Sequence, residues 1–123
     1  SGDRALLALG GPDELGVDLE LIQPVADFEP LARAHFRTDE QAALMALPEP
    51  AREAGFLRLW TRKEACLKAI GTGLSLDPSA FSVGLAPGPL VIELAWSGGR
   101  AQVALCDLDA GPGAVAALAR VLA

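Results

Sequence analysis

Tyrosine is absent from this 123-residue sequence, and the other aromatic residues are few, with four phenylalanines and two tryptophans. Hydrophobic residues nevertheless make up 51% of the chain, which excludes the composition of a disordered protein and predicts a mainly aliphatic core. Only two cysteines are present, so a disulfide-stabilised scaffold is excluded. We expect Cys66 and Cys106 to be buried free thiols in a reducing compartment.

Positive charge and long apolar runs are also scarce. Ten basic residues stand against sixteen acidic ones, and the net charge of −6 argues against nonspecific binding to nucleic acid. No apolar run reaches the ~18 residues of a membrane helix, and no charged-then-apolar signal peptide is present, so we expect a cytoplasmic protein without membrane contact. Lysine occurs only at Lys63 and Lys68, which join Arg58 and Arg62 in a local basic cluster suited to an anion.

Two strands are predicted near the start of the sequence. Residues 4–9 (RALLAL) form a short apolar run that ends in the turn sequence GGPDE. Residues 15–22 (LGVDLELI) alternate apolar and acidic side chains, which is the period of a strand. We expect the two runs to pair as an antiparallel hairpin, with Pro24 ending the second strand.

Three helices are predicted in the middle of the sequence. A short helix starts near Pro30, and a second helix has Thr38 as its N-cap, with Gln41 completing a capping box. The PEP sequence at 48–50 ends the second helix. A long helix then follows over residues 51–70, where apolar side chains recur on one face.

The last third of the sequence predicts further strands at residues 81–85, 90–94 and 100–108, separated by turns that contain proline and glycine. Residues 111–123 are ambiguous, because their position favours a strand and their alanine content favours a helix. The predicted elements together indicate an α+β domain that spans the whole sequence.

The first chemical pattern is a pair of acids on the predicted strand. Residues two apart on a strand project from the same face, so Asp18 and Glu20 place two carboxylates side by side. Like charges this close repel, and the pKa of one carboxyl rises unless a cation compensates. The pair is either a solvated acidic face or a site for a hard cation such as Mg²⁺, which prefers oxygen ligands.

The second pattern lies on the long helix. Trp60, Glu64 and Lys68 are four residues apart and share one face, with Lys63 at its border. They form either a packed tryptophan beside a surface ion pair, or a functional row. In the functional interpretation Glu64 is a metal ligand or general base, and the two lysines bind phosphate.

Together the two patterns carry a resemblance. GVDLE at 16–20, followed by WTRKEACLKAIGTGLSLDPSAFSV at 60–83, closely resembles the 4′-phosphopantetheinyl transferase superfamily, and in particular its larger, two-lobed Sfp type. The small trimeric holo-acyl-carrier-protein synthases share the acidic pair and the K-E-A core but have Phe where this sequence has Trp60. The resemblance covers residues 1–85 well and the remainder loosely. It implies a small antiparallel sheet packed on the long helix, with shorter helices beside it.

The resemblance also implies a reaction. Members transfer the 4′-phosphopantetheine arm of coenzyme A to a serine of an acyl- or peptidyl-carrier protein, in fatty acid, polyketide or nonribosomal peptide biosynthesis. By similarity, Asp18, Glu20 and Glu64 hold Mg²⁺, or Mn²⁺ in its place. Glu64 is also a candidate base for the serine proton. Lys68 contacts the transferring phosphate, and Lys63 contacts the coenzyme A phosphates.

The resemblance also bears on three further residues. Glu40, in the first turn of a helix, is a weaker candidate to contact metal, water or the serine, and its alternative is a plain first-turn acid. His35 matches no family motif, and we expect it on a half-buried helix surface. Ser1 opens the sequence as though cut within a Ser-His-Ser type motif that contacts coenzyme A, so it is a candidate cofactor-binding residue.

The implied partners follow from these placements. We expect this sequence to be a C-terminal lobe, whose missing N-terminal lobe or second chain completes the coenzyme A site. A carrier protein is expected to dock on local basic patches formed by Arg33, Arg37, Arg58 and Arg62. The alternatives are a non-catalytic lobe that binds coenzyme A or a carrier domain, a small holo-acyl-carrier-protein synthase, and a structural domain with coincidental motifs.

Overall fold

The computed structural model describes residues 15–21, 28–71 and 76–122. It confirms the α+β class and the sheet-on-helix arrangement, whereas the predicted strand at residues 4–9 lies outside the described residues. The elements in chain order are β1 (Leu15–Leu21), α1 (Phe28–His35), α2 (Thr38–Met45), α3 (Glu49–Ile70), a 3₁₀ turn (Pro78–Ala80), β2 (Leu90–Trp96), β3 (Gly99–Leu108) and β4 (Ala114–Val121).

The strands of the described residues form one antiparallel sheet in the order β1-β4-β3-β2. The ambiguous C-terminal segment is therefore a strand, because β4 pairs with a neighbour on each side and this pairing overrides the helical preference of its alanines. Ala117 and Ala119 of β4 are fully buried, and their small side chains let α3 lie close to the sheet. The core is thus built between α3 and the inner strands.

Gly16 is the point where β1 meets the backbone of α3. A Cβ atom at this position would lie 2.0 Å from the carbonyl oxygen of Ala65 and 2.5 Å from the amide nitrogen of Ala69. These are backbone atoms in the middle of a helix, so they have little freedom to move away. Only glycine permits this approach, and it brings the acidic pair of β1 beside the C-terminal half of α3.

The helix starts differ from the predictions. α1 begins at Phe28 and α3 at Glu49, each two residues earlier than expected, because a proline is tolerated in the first helical turn where its missing N–H has no partner to lose. Thr38 is the first helical residue of α2, and Arg37 is the N-cap. The backbone N–H of Arg37 donates to Oε1 of Glu40 at 3.1 Å, so Glu40 and not Gln41 closes the first turn.

The predicted strand at residues 81–85 is wrong, since this segment is an irregular loop. Its apolar side chains Phe81 and Val83 are buried, which explains the strand-like pattern. Its backbone polar groups, however, bind side chains of α2 and α3 in place of a neighbouring strand. The predicted strands at 90–94 and 100–108 are confirmed as parts of β2 and β3.

Both cysteines are free thiols, as expected. Cys66 is fully buried in the core, and burial raises the pKa of its thiol to about 12. Cys106 is only half-buried, which corrects the expectation that both thiols are enclosed. In the part of the chain that the structure describes, no helix has the length and apolarity to cross a bilayer.

Candidate active site

A cleft of about 580 Å³ lies beside the C-terminal half of α3. Trp60, Glu64 and Lys68 line it together, as their helical spacing predicts. Trp60 is held in place by stacking on Phe56, with the ring centroids 6.1 Å apart. The remaining walls come from α1, the end of α3 and the segment after it, namely Ala34, His35, Leu67, Gly71, Leu76, Asp77 and Pro78.

Lys68 joins this row to the acidic strand. Its Nζ lies 2.8 Å from Oδ1 of Asp18 and donates to the carbonyl oxygen of Val17 at 3.2 Å. The Lys68 side chain is 51% exposed, whereas the Asp18 side chain is only 11% exposed. The lysine therefore reaches from the cleft to a carboxylate that the close approach of β1 has largely removed from water.

Glu64 lies near both acids of β1. Burial raises the pKa of Glu64, and the negative charges of Asp18 and Glu20 raise it further, while Lys68 partly opposes the change. The ionised form of Glu64 is therefore disfavoured by its surroundings, and an added cation would favour it. The two carboxylates of β1 are therefore close enough to Glu64 to act on its charge.

The donor set fits a hard divalent cation. Oδ2 of Asp18 is buried and accepts no hydrogen bond from the described residues, and such an oxygen is costly without a partner. Carboxylate oxygens are the ligands that Mg²⁺ takes in proteins, usually with water and substrate phosphate completing its shell. Among the described residues, no three His, Cys, Asp or Glu side chains are arranged closely enough to hold a metal ion together. The three acids predicted as metal ligands are therefore neighbours, but their oxygens do not converge on one point.

Lys63 and Glu40 lie away from the cleft as a buried pair. Lys63 Nζ is 2.7 Å from Oε1 of Glu40, and both side chains are at most 2% exposed. The ammonium also donates to the carbonyl oxygens of Pro78, at 2.7 Å, and Phe81. Burial lowers the pKa of Lys63, and the Glu40 carboxylate opposes this shift. This placement gives neither residue a surface for the phosphate, metal or serine contacts predicted for it.

Arg62 is also buried, which corrects its prediction as part of a docking patch. Its guanidinium pairs with both carboxylate oxygens of Asp107, at 2.7 and 3.0 Å, and donates to the carbonyl oxygens of Gly84 at 2.7 Å and Ala86 at 2.8 Å. The residue is 1% exposed, whereas Arg58, one turn earlier, is exposed. The arginines are thus divided between the interior and the surface.

Two residues of the cleft were missed as site candidates. His35 is half-buried, as expected, but it lines the cleft and meets Trp60 edge to face at 5.4 Å. Asp77 also lines the cleft, and it caps the 3₁₀ turn by accepting from the Ser79 N–H at 2.8 Å. Neither has a sequence spacing to α3 that could have identified it. Ser1 lies outside the described residues.

Comparison with curated proteins gives several partial matches. The chain is 40% identical over 75 residues to 4′-phosphopantetheinyl transferase HetI of Nostoc sp., covering 61% of this chain and 32% of that protein. It is 40% identical over 90 residues to 4′-phosphopantetheinyl transferase AcpT of Salmonella typhi, covering 68% and 47% respectively. For 4′-phosphopantetheinyl transferase Sfp of Bacillus subtilis the identity is 32% over 98 residues, covering 79% and 43%. The chain thus spans about a third to a half of these relatives.

The fold is similar to that of a solved holo-[acyl-carrier-protein] synthase from Thermotoga maritima. The TM-score is 0.59 at 17% sequence identity, and the match covers 89% of this chain and 62% of that one. At this identity the likeness concerns the fold alone. The sequence profile of the 4′-phosphopantetheinyl transferase superfamily matches residues 14–116. Because this match covers most of the chain and includes β1, α3 and the residues that line the cleft, the chain belongs to the 4′-phosphopantetheinyl transferase superfamily.

Proposed function

We propose that this chain supplies the metal and phosphate half of an enzyme that transfers 4′-phosphopantetheine from coenzyme A to a serine of an acyl- or peptidyl-carrier protein. The observation that carries the proposal is that Glu64 and Lys68 line one cleft, while Asp18 of β1 pairs with Lys68 and acts on the charge of Glu64. The names of the curated relatives and the family match support the same activity.

In this reaction the serine Oγ forms a bond to the β-phosphorus of coenzyme A. The bond from that phosphorus to the bridging oxygen breaks, and adenosine 3′,5′-bisphosphate leaves. Asp18, Glu20 and Glu64 would hold Mg²⁺, or Mn²⁺, which supplies charge neutralisation at the diphosphate. Lys68, half exposed at the cleft, reaches the transferring phosphate with an ammonium that donates in any direction.

The serine proton requires an acceptor within hydrogen-bond reach. Glu64 is the proposed base, because it lies in the cleft and its surroundings raise its pKa, which strengthens it as a proton acceptor. The exposed apolar and basic surface beside the cleft, including Arg33 and Arg37, is proposed to meet the carrier protein. The rest of the coenzyme A site is proposed to come from a further lobe or a second chain.

The test is the mass of the carrier protein. The protein at its natural full length is incubated with coenzyme A, Mg²⁺ and an apo carrier protein, and the mass gain of one phosphopantetheine arm is measured. The same assay is run on residues 1–123 alone and on Glu64→Gln. Coenzyme A binding without any mass gain in the full-length protein would refute the transferase and favour a binding lobe.

A further inference from the structure

The segment that follows α3, residues 76–86, forms one wall of the cleft through Leu76, Asp77 and Pro78. We call it the cleft loop. Lys63 binds this loop from inside the protein, since its Nζ donates to the carbonyl oxygens of Pro78, at 2.7 Å, and Phe81. Pro78 therefore lines the cleft and is held by a side chain of α3.

Glu40 binds the same loop from α2. Its Oε2 accepts from the backbone N–H groups of Val83 at 2.7 Å and Gly84 at 3.3 Å, while its Oε1 lies 2.7 Å from Lys63 Nζ. The ion pair thus sits at the junction of α2, α3 and the cleft loop. The Glu40 carboxylate and the Lys63 ammonium bind the backbone N–H and C=O groups of the cleft loop, which in a regular sheet would bind a neighbouring strand.

Lys63 has no donor left for a ligand. An ammonium has three N–H donors, and the carbonyl oxygens of Pro78 and Phe81 and the carboxylate of Glu40 take all three. The ammonium also lies over the Phe81 ring, with Nζ 4.6 Å from the ring centre, and the whole side chain is only 2% exposed. A direct contact between Lys63 and a coenzyme A phosphate would break this arrangement.

We infer that the Lys63–Glu40 ion pair is a positioning device that sets the cleft wall formed by Leu76, Asp77 and Pro78 relative to Glu64 and Lys68. The expected effect on the rate of arm transfer rests on the proposed function, whereas the effect on the cleft wall does not. Lys63 and Glu64 are adjacent on α3 but lie on different sides of the helix, one against the cleft loop and one in the cleft. A shift of the loop therefore changes the shape of the cleft that Glu64 and Lys68 also line.

The experiment compares Lys63→Met, Glu40→Gln and the double variant with Arg100→Met, a control at an exposed position of β3, a strand that contributes no residue to the cleft lining. Steady-state kinetics of arm transfer give kcat and KM. Acrylamide quenching of Trp60 fluorescence, in a Trp96→Phe background, reports the cleft in the folded protein without catalysis. Circular dichroism identifies the variants that fold, and where Lys63→Met does not fold, Glu40→Gln carries the test because it keeps the size of the side chain.

Each single variant is expected to lower kcat/KM by about 10- to 100-fold, since a misplacement of about 1 Å costs rates of this order. Quenching of Trp60 is expected to rise in the same variants. The double variant is expected to recover part of the lost kcat/KM and to reverse part of the increase in Trp60 quenching, because it leaves no unpaired buried charge. Arg100→Met should change neither readout.

Two results would overturn the inference. Folded single variants with unchanged Trp60 quenching would show that the pair does not set the cleft wall. A rise in the KM for coenzyme A in Lys63→Met, absent in Glu40→Gln and not recovered in the double variant, would show that Lys63 touches the ligand. Failure of the unmodified full-length protein to transfer the arm would instead refute the proposed function, and Trp60 quenching would still decide the positioning role.

Discussion

The ammonium of Lys68 lies 2.8 Å from Oδ1 of Asp18, although the two residues are 50 positions apart in the sequence. This contact joins the acidic strand β1 to the cleft face of α3. It depends on Gly16, whose missing side chain lets β1 touch the backbone of α3. Lys68 serves the proposed chemistry and Gly16 serves the packing of β1 on α3, so substitution of each residue in turn separates the effect on transfer from the effect on stability.

Replacement of Lys68 should affect transfer far more than folding. The side chain is 51% exposed, so its ion pair with Asp18 contributes at most about 1 kcal/mol to the free energy of unfolding. Loss of a charge that stabilises the transferring phosphate costs about 10²- to 10³-fold in kcat. Lys68→Met is therefore expected to unfold close to the wild type in urea and to lose arm transfer. A large loss of stability with kcat retained would contradict this.

Gly16→Ala should destabilise the protein severely. The added Cβ would lie 2.0 Å from a helix carbonyl oxygen, and overpacking at a rigid site costs about 3 kcal/mol or more. Gly113→Ala is the matched comparison, because Gly113 has a φ of 76° but nothing within 4 Å of an added Cβ. Its expected cost is about 1–2 kcal/mol from the backbone alone. Urea unfolding of both variants measures the difference, and equal losses would rule out the clash.

Arg62→Met is expected to cost about 1–3 kcal/mol, since it leaves the loop carbonyl oxygens of Gly84 and Ala86 without their donor, whereas the exposed carboxylate of Asp107 can turn to water. Arg58→Met, at an exposed position one turn earlier on α3, should stay within about 0.5 kcal/mol of the wild type. The free energy of unfolding in urea measures both. A similar stability for the two variants would show that the buried guanidinium contributes little.

The raised pKa of Glu64 makes a prediction about pH. Between the ordinary value of 4.5 and the higher folded value, the folded protein binds more protons at Glu64 than the unfolded chain does. This residue's contribution to stability therefore falls as pH rises through that window, and its ionised form costs stability at neutral pH. Glu64→Gln should remove this part of the pH dependence, as measured by unfolding between pH 4 and about 7. If the free energy of unfolding changed with pH equally in the wild type and in Glu64→Gln, the raised pKa of Glu64 would be contradicted.

Addition of Mg²⁺ should raise the melting temperature at neutral pH, because a ligand that binds only the folded state stabilises it by mass action. Asp18→Asn and Glu64→Gln should each reduce the shift. Glu93→Gln is the control, since Glu93 is an exposed acid on β2, at the opposite edge of the sheet from β1. Equal shifts in all variants would show that the ion binds elsewhere.

Local patterns made most of the fold predictable. The alternation in residues 15–22 predicted β1, and the apolar stripe of residues 51–70 predicted α3, since both periods depend only on nearby residues. The prediction of a strand at residues 81–85 was wrong because it, too, rested only on a local pattern. Burial of Phe81 and Val83 imitates a strand locally, while the partners of the backbone come from α2 and α3.

The candidate site divides in the same way. The spacing of Trp60, Glu64 and Lys68 was enough to predict that they share a face, because the helical repeat places residues four apart together. Burial of the adjacent Lys63 against Glu40 and the cleft loop, by contrast, follows from the folded domain and has no signal in the local sequence. The tertiary structure also brought His35 and Asp77 to the cleft. Whether a charged side chain faces water or the interior depends on segments distant in the sequence, and their approach follows from packing of the whole domain.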